Sequence, residues 1–554
     1  MSYERPSIGE RPRVAYFCME YGLDEKLPIY SGGLGVLAGD FMRSAYALSL
    51  PVVGVGILWE EGYTTQGIGP GGETIDLPTP LDRSHLVREA PIVTVQIGSH
   101  EVPLWIWRVE GLGAAPLYLL EPIVERDRWI NRRLYGGGKD DRVSQEMVLG
   151  IGGVRALQAL GIGVDVYHFN EGHALFAGLE LMRQAREQRG LGFEEAWSAV
   201  REHIVFTTHT PIDAGNEEHE HERLRRLGAT MGLTHAQMVR LGGDPFNMTV
   251  GALRLSRNAN AVAELHGETA RKMWRHVDDA APIVAVTNGV DHRVWQDARI
   301  ATATANGSDS ALDGARAQLK GELVREVSRR TGVSLDPDKL IVGFARRATG
   351  YKRATLLFRD EARIAPLLES GRMQVVYAGK AHPRDFGGQE LVKEIVALGK
   401  KYPHSVVFVP NYDLSLGRIV TRGADVWLNT PRRPLEACGT SGMKAAMNGV
   451  LNCSILDGWW PEACDHGVNG WAIGERLLDE DSDDARDAAA LYALIEDEIV
   501  PTFYGNRARW RSMMRESIAV GVQQFSSDRM VSDYYTRLYR REAVRAVRRA
   551  AANE

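Results

Sequence analysis

The sequence predicts an α/β protein made of two doubly wound, parallel-sheet domains that face each other across a cleft. Three observations carry this expectation. Short β-branched runs recur along the chain, glycine-containing turns and helical stretches separate them, and they fall into two groups of similar size. The first group covers residues 52–58, 164–169, 203–208 and 283–287, and the second 340–344, 374–378, 405–409 and 424–429. Between them, residues 297–314 are rich in Ala, Thr, Ser, Asp and Gly and read as a linker or loop. The expected domains are a Rossmann-like domain over 1–295, a second over 296–510, and C-terminal helices over 511–554 that pack back on the first. In such folds ligands sit beyond the carboxyl ends of the strands, in the crevice.

Composition narrows the function classes. The chain has 554 residues, 44% hydrophobic and 25% charged, which is the make-up of an ordinary globular protein with material for more than one core. A net charge of −6 leaves no footprint for nucleic acid or an anionic membrane. Cys18, Cys438, Cys453 and Cys464 lack zinc-ligand spacing and are too few for a disulfide scaffold, so free thiols are expected. The first thirteen residues carry charge and no apolar core of a secretory signal, and no run of about 18 apolar residues occurs. A cytoplasmic location follows as the expectation. Towards the end, Arg509, Arg511, Arg515, Arg537 and Arg540 read as a solvated helical face, and residues 541–552 as an exposed or frayed basic helix.

The residues able to do chemistry fall just after predicted strands. Ser31-Gly32-Gly33-Leu34-Gly35-Val36-Leu37-Ala38-Gly39-Asp40 leads into a helix. Glycines there let backbone N–H groups approach an anion, and a helix N-terminus favours it; a tight turn with close helix packing is the plainer reading. Gly343-Phe344-Ala345-Arg346-Arg347-Ala348-Thr349-Gly350-Tyr351-Lys352-Arg353 sets four cations beyond a strand, spaced to converge on a phosphate. Leu435-Glu436-Ala437-Cys438-Gly439-Thr440-Ser441-Gly442-Met443-Lys444 places a carboxylate before a small-residue turn, and a lysine on the expected first turn of the next helix. A lysine near that positive terminus has a lowered pKa and bonds readily to a carbonyl, although an exposed lysine on a capped helix fits the spacing equally. Asn170-Glu171-Gly172-His173, Thr208-His209-Thr210 and Asn288-Gly289 follow other strands. Together they would make a sugar site, and singly they are turns. His219 and His221 look metal-like but lack a third ligand in sequence, so a solvated polar loop, and no metal, is expected.

These motifs resemble those of the glycogen and maltodextrin phosphorylases, in the two-domain glycosyltransferase class called GT-B, and look closest to the short bacterial α-glucan phosphorylases. The family's E-A-S-G-T-G-N-M-K is similar to residues 436–444. The resemblance implies that Lys444 carries pyridoxal 5′-phosphate, with Thr440, Ser441, Arg346, Gly33, Trp295 and Tyr412 around the cofactor. The K-R-x-x-x-Y-K-R motif resembles residues 346–353, which implies that Arg347 and Lys352 hold the substrate phosphate and that Tyr351 contacts the sugar. The N-G-G-L-G-R-L-A motif resembles residues 31–38, so that the Gly33 and Leu34 amides would face the phosphates. By the same resemblance His209, Asn288, Glu436, Cys438, Gly439 and His173 would bind the glucose. Cys438 stands for the usual Ser, Ser441-Gly442 for Gly-Asn, Arg346 for Lys, and Asn170–His173 departs from N-D-T-H. The long N-terminal extension that carries phosphorylation and nucleotide control in animal members has no counterpart before Val14, so no such regulation is expected.

The implied reaction is phosphorolysis of the terminal glucose of an α-1,4-glucan (maltodextrin or glycogen) by inorganic phosphate, giving α-D-glucose 1-phosphate with retention. The cofactor's phosphate would serve as acid and base, since a phosphate monoester has its second pKa near about 6. The resemblance allows a homodimer. The alternative is a cofactor-free retaining nucleotide-sugar transferase of the glycogen or starch synthase type. Those enzymes share the glycine turn and a related E-x-C-G-x-S turn but lack a lysine at the position of Lys444. A non-catalytic carbohydrate-binding protein on the same scaffold would have lost a charged site residue, whereas Arg347, Lys352, Glu436 and Lys444 are all present.

Overall fold

The computed structural model describes residues 11–62, 64–77, 79, 81–212, 215–475 and 483–540. The basic tail expected at 541–552, and the first ten residues of the stretch read as lacking a signal, lie outside the described residues. The chain divides into two compact units. The first holds the described residues of Met1–Tyr63, Pro78–Thr287 and Asp528–Glu554, and the second those of Thr64–Leu77 and Asn288–Ser527.

The first unit is built on a nine-stranded sheet. Its spatial order is Ile283–Ala285, Asn258–Ala261, Ile204–Thr207, Val166–Asn170, Val14–Phe17, Val52–Ile57, Leu117–Pro122, His100–Val109 and Leu86–Ile97. The first seven strands run parallel, with Val14 level with Val166 on one side and Val52 on the other. The last two strands add an antiparallel edge that the sequence reading did not contain. A two-residue link at Gly98 joins them, and a hairpin needs no helix, so the helix-strand alternation used to find parallel units passes over it. The strand Asn258–Ala261 was also missed. It holds no β-branched residue and is stabilised sideways, where Thr207 Oγ1 donates to Asn260 Oδ1 at 2.6 Å.

The second unit carries a six-stranded, wholly parallel sheet in the order Val406–Val409, Met373–Ala378, Leu340–Ala345, Val426–Asn429, Leu451–Ile455 and Gly470–Ile473. Counted along the chain this is 3-2-1-4-5-6, the doubly wound order. Both faces are covered and the strands read as apolar runs, for example LIVGFA, every residue of it buried. The order reverses between Leu340–Ala345 and Val426–Asn429. A crevice opens at such a reversal, because the connections leave on opposite faces.

Residues 297–314 are not a loop. They form the helix Ala298–Ala305 and the start of the helix Asp309–Thr331. The polar residues that suggested a linker are caps: Asp297 accepts from Arg299 N, and Ser308 from Ala311 N. Arg511 and Arg515 are likewise not a free solvated face, since Arg511 pairs with Asp313 at 2.8 Å and Arg515 with Asp309 at 2.6 Å. In the first unit the segment 528–540 is held by Arg257, 1% exposed, which donates to the carbonyls of Glu202, Leu538 and Tyr539. The Tyr539 hydroxyl adds a hydrogen bond to His168 Nδ1 at 2.7 Å. Arg257→Ala strands the two buried carbonyls of Leu538 and Tyr539 and the part-buried one of Glu202. It should lower the chemical-denaturation midpoint of the protein by the equivalent of about 3 kcal/mol.

Candidate functional site

In the second unit the charged residues stand beyond the two strands that flank the reversal. Arg346 follows Ala345 directly. Its guanidinium donates to Asn429 Oδ1 at the end of the neighbouring strand, to Glu436 Oε2 at 2.8 Å and to Ser441 Oγ at 2.9 Å. Lys352 Nζ reaches both oxygens of the same carboxylate, at 3.1 and 2.9 Å. Burial alone would raise the Glu436 pKa, but Lys352 and Arg346 outweigh it and hold the carboxyl below its ordinary range. Two cations thus share one carboxylate, and the Arg346 Nε is buried with no hydrogen-bond acceptor among the described residues. This surplus of positive charge and donors suits an anion.

Glu436 is itself held by a residue the sequence reading missed. Asp457, 1% exposed, lies just past the strand Leu451–Ile455. Its Oδ2 accepts from Glu436 N at 2.9 Å and its Oδ1 from Gly458 N at 2.8 Å. Trp459 N donates to Cys438 O at 2.9 Å, so the two turns are zipped together. Burial pushes the Asp457 pKa up to about 7; the neighbouring Glu436 charge adds to this, while the two N–H donors oppose it. The only sequence signal was an Asp-Gly after a strand, which reads as an ordinary turn. Gly439 then takes φ +85°, in the left-handed region, and leads into the helix Thr440–Ala446.

Lys444 is the fifth residue of that seven-residue helix, not on its first turn as expected. The dipole argument for its reactivity therefore weakens, since the effect fades beyond the first turn. What distinguishes Lys444 is burial, with 7% of the residue exposed, and its Nζ lying 3.7 Å from the Trp295 ring centroid. Asn448, also missed, ties the two together: its Nδ2 donates to Lys444 O at 2.8 Å and to Trp295 O at 2.9 Å. Tyr412 follows the strand Val406–Val409 and is half-buried, its hydroxyl pushed up to about 12 by burial. Asn288 and Cys438 are buried, Tyr351 is half-buried with Lys352 Nζ 4.6 Å from its ring centroid, and Arg347 is exposed.

In the first unit the glycine turn enters the helix Gly33–Ala47, after the long loop that leaves the central strand Val14–Phe17. Part of the expected anion cradle is already filled. Glu20 Oε2 accepts from Ser31 N at 2.6 Å and Gly32 N at 3.2 Å, and Glu20 Oε1 accepts from the Tyr135 hydroxyl at 2.6 Å. The glycines serve different ends. A side chain on Gly35 would meet Glu20 Oε2 and Tyr30 Cβ, each at 2.7 Å, whereas one on the exposed Gly33 would meet nothing within 4 Å. Close packing requires the first, and open space lies beside the second and its half-buried neighbour Leu34.

His209 is held by the adjacent strand end, its ring Nε2 lying 2.7 Å from Asn170 Oδ1 and its backbone N donating to Glu171 Oε1 at 2.5 Å. Burial, with His266, His168 and His173 nearby, pushes its pKa down to about 3. His173 is half-buried, its Nδ1 has no hydrogen-bond partner among the described residues, and burial and Arg142 push its pKa down to about 3. His219 is not in a solvated loop: it is buried, with Nε2 3.0 Å from Glu146 Oε2 and Glu217 close by. Arg142 supplies the positive charge, its Nε 2.6 Å from Glu217 and 3.6 Å from Glu146, and His221 turns away to Gly243 O. The cluster is an ion-pair network.

These features define an α/β enzyme of the glycosyltransferase class, with one wholly parallel sheet and one parallel sheet that carries an antiparallel edge. Residues 299–465, which contain the Arg346, Glu436 and Lys444 segments, match the family model described as carbohydrate phosphorylase. The chain is 38% identical to the maltodextrin phosphorylase of Thermococcus litoralis, over 96% of this chain and 71% of that protein. It is 39% identical to the glycogen phosphorylase of Mycobacterium tuberculosis, over 97% and 72%, and 34% identical to that of Aquifex aeolicus, over 95% and 86%. The chain belongs to the carbohydrate phosphorylase family.

Two stability measurements test the site. Glu436→Ala leaves two enclosed cations without their carboxylate and should destabilise the protein by about 3–5 kcal/mol in denaturant titration. Asp457 has a folded-state pKa raised above the ordinary aspartate value of about 3.9. Its stabilising share is therefore full below that value and lost as pH rises through about 7. Asp457→Asn should flatten the fall in stability between about pH 4 and pH 7, seen by comparing denaturation midpoints of the two proteins across that range.

Proposed function

We propose that this protein is an α-glucan phosphorylase. It would transfer the terminal α-1,4-linked glucose of maltodextrin or glycogen to inorganic phosphate, with retention, giving α-D-glucose 1-phosphate, and would hold pyridoxal 5′-phosphate on Lys444. The observation that carries the reading is the buried Lys444 amine, in a unit whose switch point sets two cations against one carboxylate. The names of the relatives, maltodextrin and glycogen phosphorylase, support the substrate class.

The residues fit the cofactor. An aldehyde needs an amine shielded from water, and Lys444 is buried against Trp295. A phosphate needs donors in excess of acceptors, and Arg346 keeps a buried Nε–H with no acceptor among the described residues while Lys352 shares its carboxylate. Lys444, Thr440, Ser441, Trp295, Tyr412, Arg346 and Gly33 are the proposed cofactor ligands. When bound, the cofactor would supply a phosphate able to give and take a proton near neutral pH.

The chain's own residues do the rest. Arg347 and Lys352 would hold the substrate phosphate, Arg as a planar fork and Lys as a point charge, offsetting the repulsion between two phosphates. Glu436, kept ionised by its cations, can only accept hydrogen bonds, so it suits a sugar hydroxyl. His209, Asn288, Tyr351, Cys438, Gly439, His173 and the Gly33 and Leu34 amides complete the proposed sugar and phosphate contacts. A site built around hydroxyls rejects sugars without them, each unpaired buried group costing about 1–3 kcal/mol. Among the described residues no helix is long and apolar enough to cross a membrane. A cytoplasmic location and a homodimer complete the proposal.

Purified wild-type protein should show a pyridoxal absorbance band that borohydride alters, and Lys444→Ala should lack it. With phosphate and maltodextrin the wild type should release glucose 1-phosphate, and Lys444→Ala should be slower by at least about a thousandfold, a loss of roughly 4 kcal/mol. Turnover of a nucleotide sugar, with no phosphate-dependent product and no such band, would replace this reading with the synthase alternative.

A further inference from the structure

We infer that Asn170 and Glu171 are positioning residues that act through His209, one setting the tautomer of its ring and the other fixing its backbone, so that the ring offers an acceptor to a sugar hydroxyl. The inference rests on the proposed contact between His209 and glucose.

Successive side chains of a strand point to opposite faces. Asn170 ends the strand Val166–Asn170 and Glu171 is the next residue, yet both grip His209. Glu171 makes this possible by leaving the strand conformation, with φ +78° and ψ 168°, a region otherwise kept to glycine. Its Oε1 accepts from His209 N at 2.5 Å and from Thr210 Oγ1 at 3.2 Å, and its Oε2 from Gly172 N at 3.2 Å. A strained backbone is thus held by three hydrogen bonds, two of which fix the His209 turn.

The ring follows from donor and acceptor bookkeeping. Asn170 Nδ2 donates to Cys18 Sγ at 3.2 Å, which turns Oδ1 towards His209. An amide oxygen only accepts, so His209 Nε2 must carry the proton across the 2.7 Å contact. A neutral ring with its proton on Nε2 has a lone pair on Nδ1.

The surroundings keep the ring neutral. The groups facing it are His168 on the strand, His173 on the turn after it, His266 on the helix Glu264–Trp274 and the Glu171 carboxyl, with the Cys18 thiol behind Asn170. Burial pushes His168 and His173 down to about 3 and His266 down to about 4, and pushes Cys18 up to about 12. The three histidines and the cysteine therefore keep their charge state near neutral pH. The Glu171 carboxyl, raised by burial, meets His209 at its backbone rather than its ring.

The test uses the full-length protein labelled with ¹⁵N-histidine, the His209 signals being assigned by their loss in His209→Gln. In wild type the ring should be neutral, with the proton on Nε2, from pH 5 to pH 8. Asn170→Asp places a carboxylate at Nε2, so the ring should begin to titrate in that window. Its kcat/KM for glucose 1-phosphate should then fall at acid pH where the wild type does not. Asn170→Ala should raise KM for glucose 1-phosphate about tenfold with a smaller change in kcat. Should Asn170→Asp not fold, Asn170→Ser serves, and its ring should populate both tautomers. A wild-type ring protonated on Nδ1, or variants whose His209 signals and pH profile superimpose on wild type, would overturn the inference. His209→Gln with unchanged KM would instead remove the sugar contact, and the NMR result would still decide the tautomer.

Discussion

Glu436 is one carboxylate enclosed with two cations, and the second unit's chemistry depends on that imbalance. An ion pair removed from water survives only if its geometry is good and its remaining donors are satisfied. Here Arg346 spreads its donors over Asn429, Glu436 and Ser441, and so binds a strand end, the acidic turn and the lysine-bearing helix at once. Lys352 adds a second positive charge to the same carboxylate. Burial raises the pKa of the nearby Asp457 to about 7, so below neutral pH its carboxyl carries less than a full charge and the cluster keeps a positive balance. An arriving anion therefore completes the charge balance.

This arrangement follows from the sheet. In a 3-2-1-4-5-6 order the connections leave on opposite faces at the reversal, so the residues just past Ala345 and Asn429 are not covered by a helix. Arg346 and the turn at 436–439 occupy those positions. The first unit places its polar residues by the same rule. The glycine turn follows the loop that leaves the central strand, Asn170-Glu171 follow the strand beside it, and His209 follows the next strand out. There the protein fills part of its own anion cradle with Glu20, leaving the amides around Gly33 as the section with open space. The carbohydrate phosphorylase family thus draws on ordinary α/β rules, with its individuality confined to a few turns.

Which parts were legible in the sequence depended on whether the signal was local. Most parallel strands were, because β-branched runs bounded by glycine carry their own periodicity, whereas Asn258–Ala261, with no such residue, was not. The antiparallel edge was not, since a hairpin breaks the alternation on which the reading relied. Residues 297–314 misled because Asp297 and Ser308 are typical loop residues and equally typical helix caps, and composition cannot separate the two. Lys444 was recognised, but its place in the helix was not, because a turn of small residues does not reveal where the first helical residue falls.

By itself the sequence determined the α/β class, the positions of the glycine turn, the cation run and the lysine turn, and through them the family. These are contiguous motifs, and their chemistry is written in neighbouring letters. Only the tertiary structure decided which groups share a carboxylate, that Asp457 supports Glu436 from 21 residues away, that Asn448 joins Lys444 to Trp295, and that Asn170 and Glu171 hold His209. Those pairings depend on strand order and on which side chains lose water together, and neither quantity is encoded in any single segment of the chain.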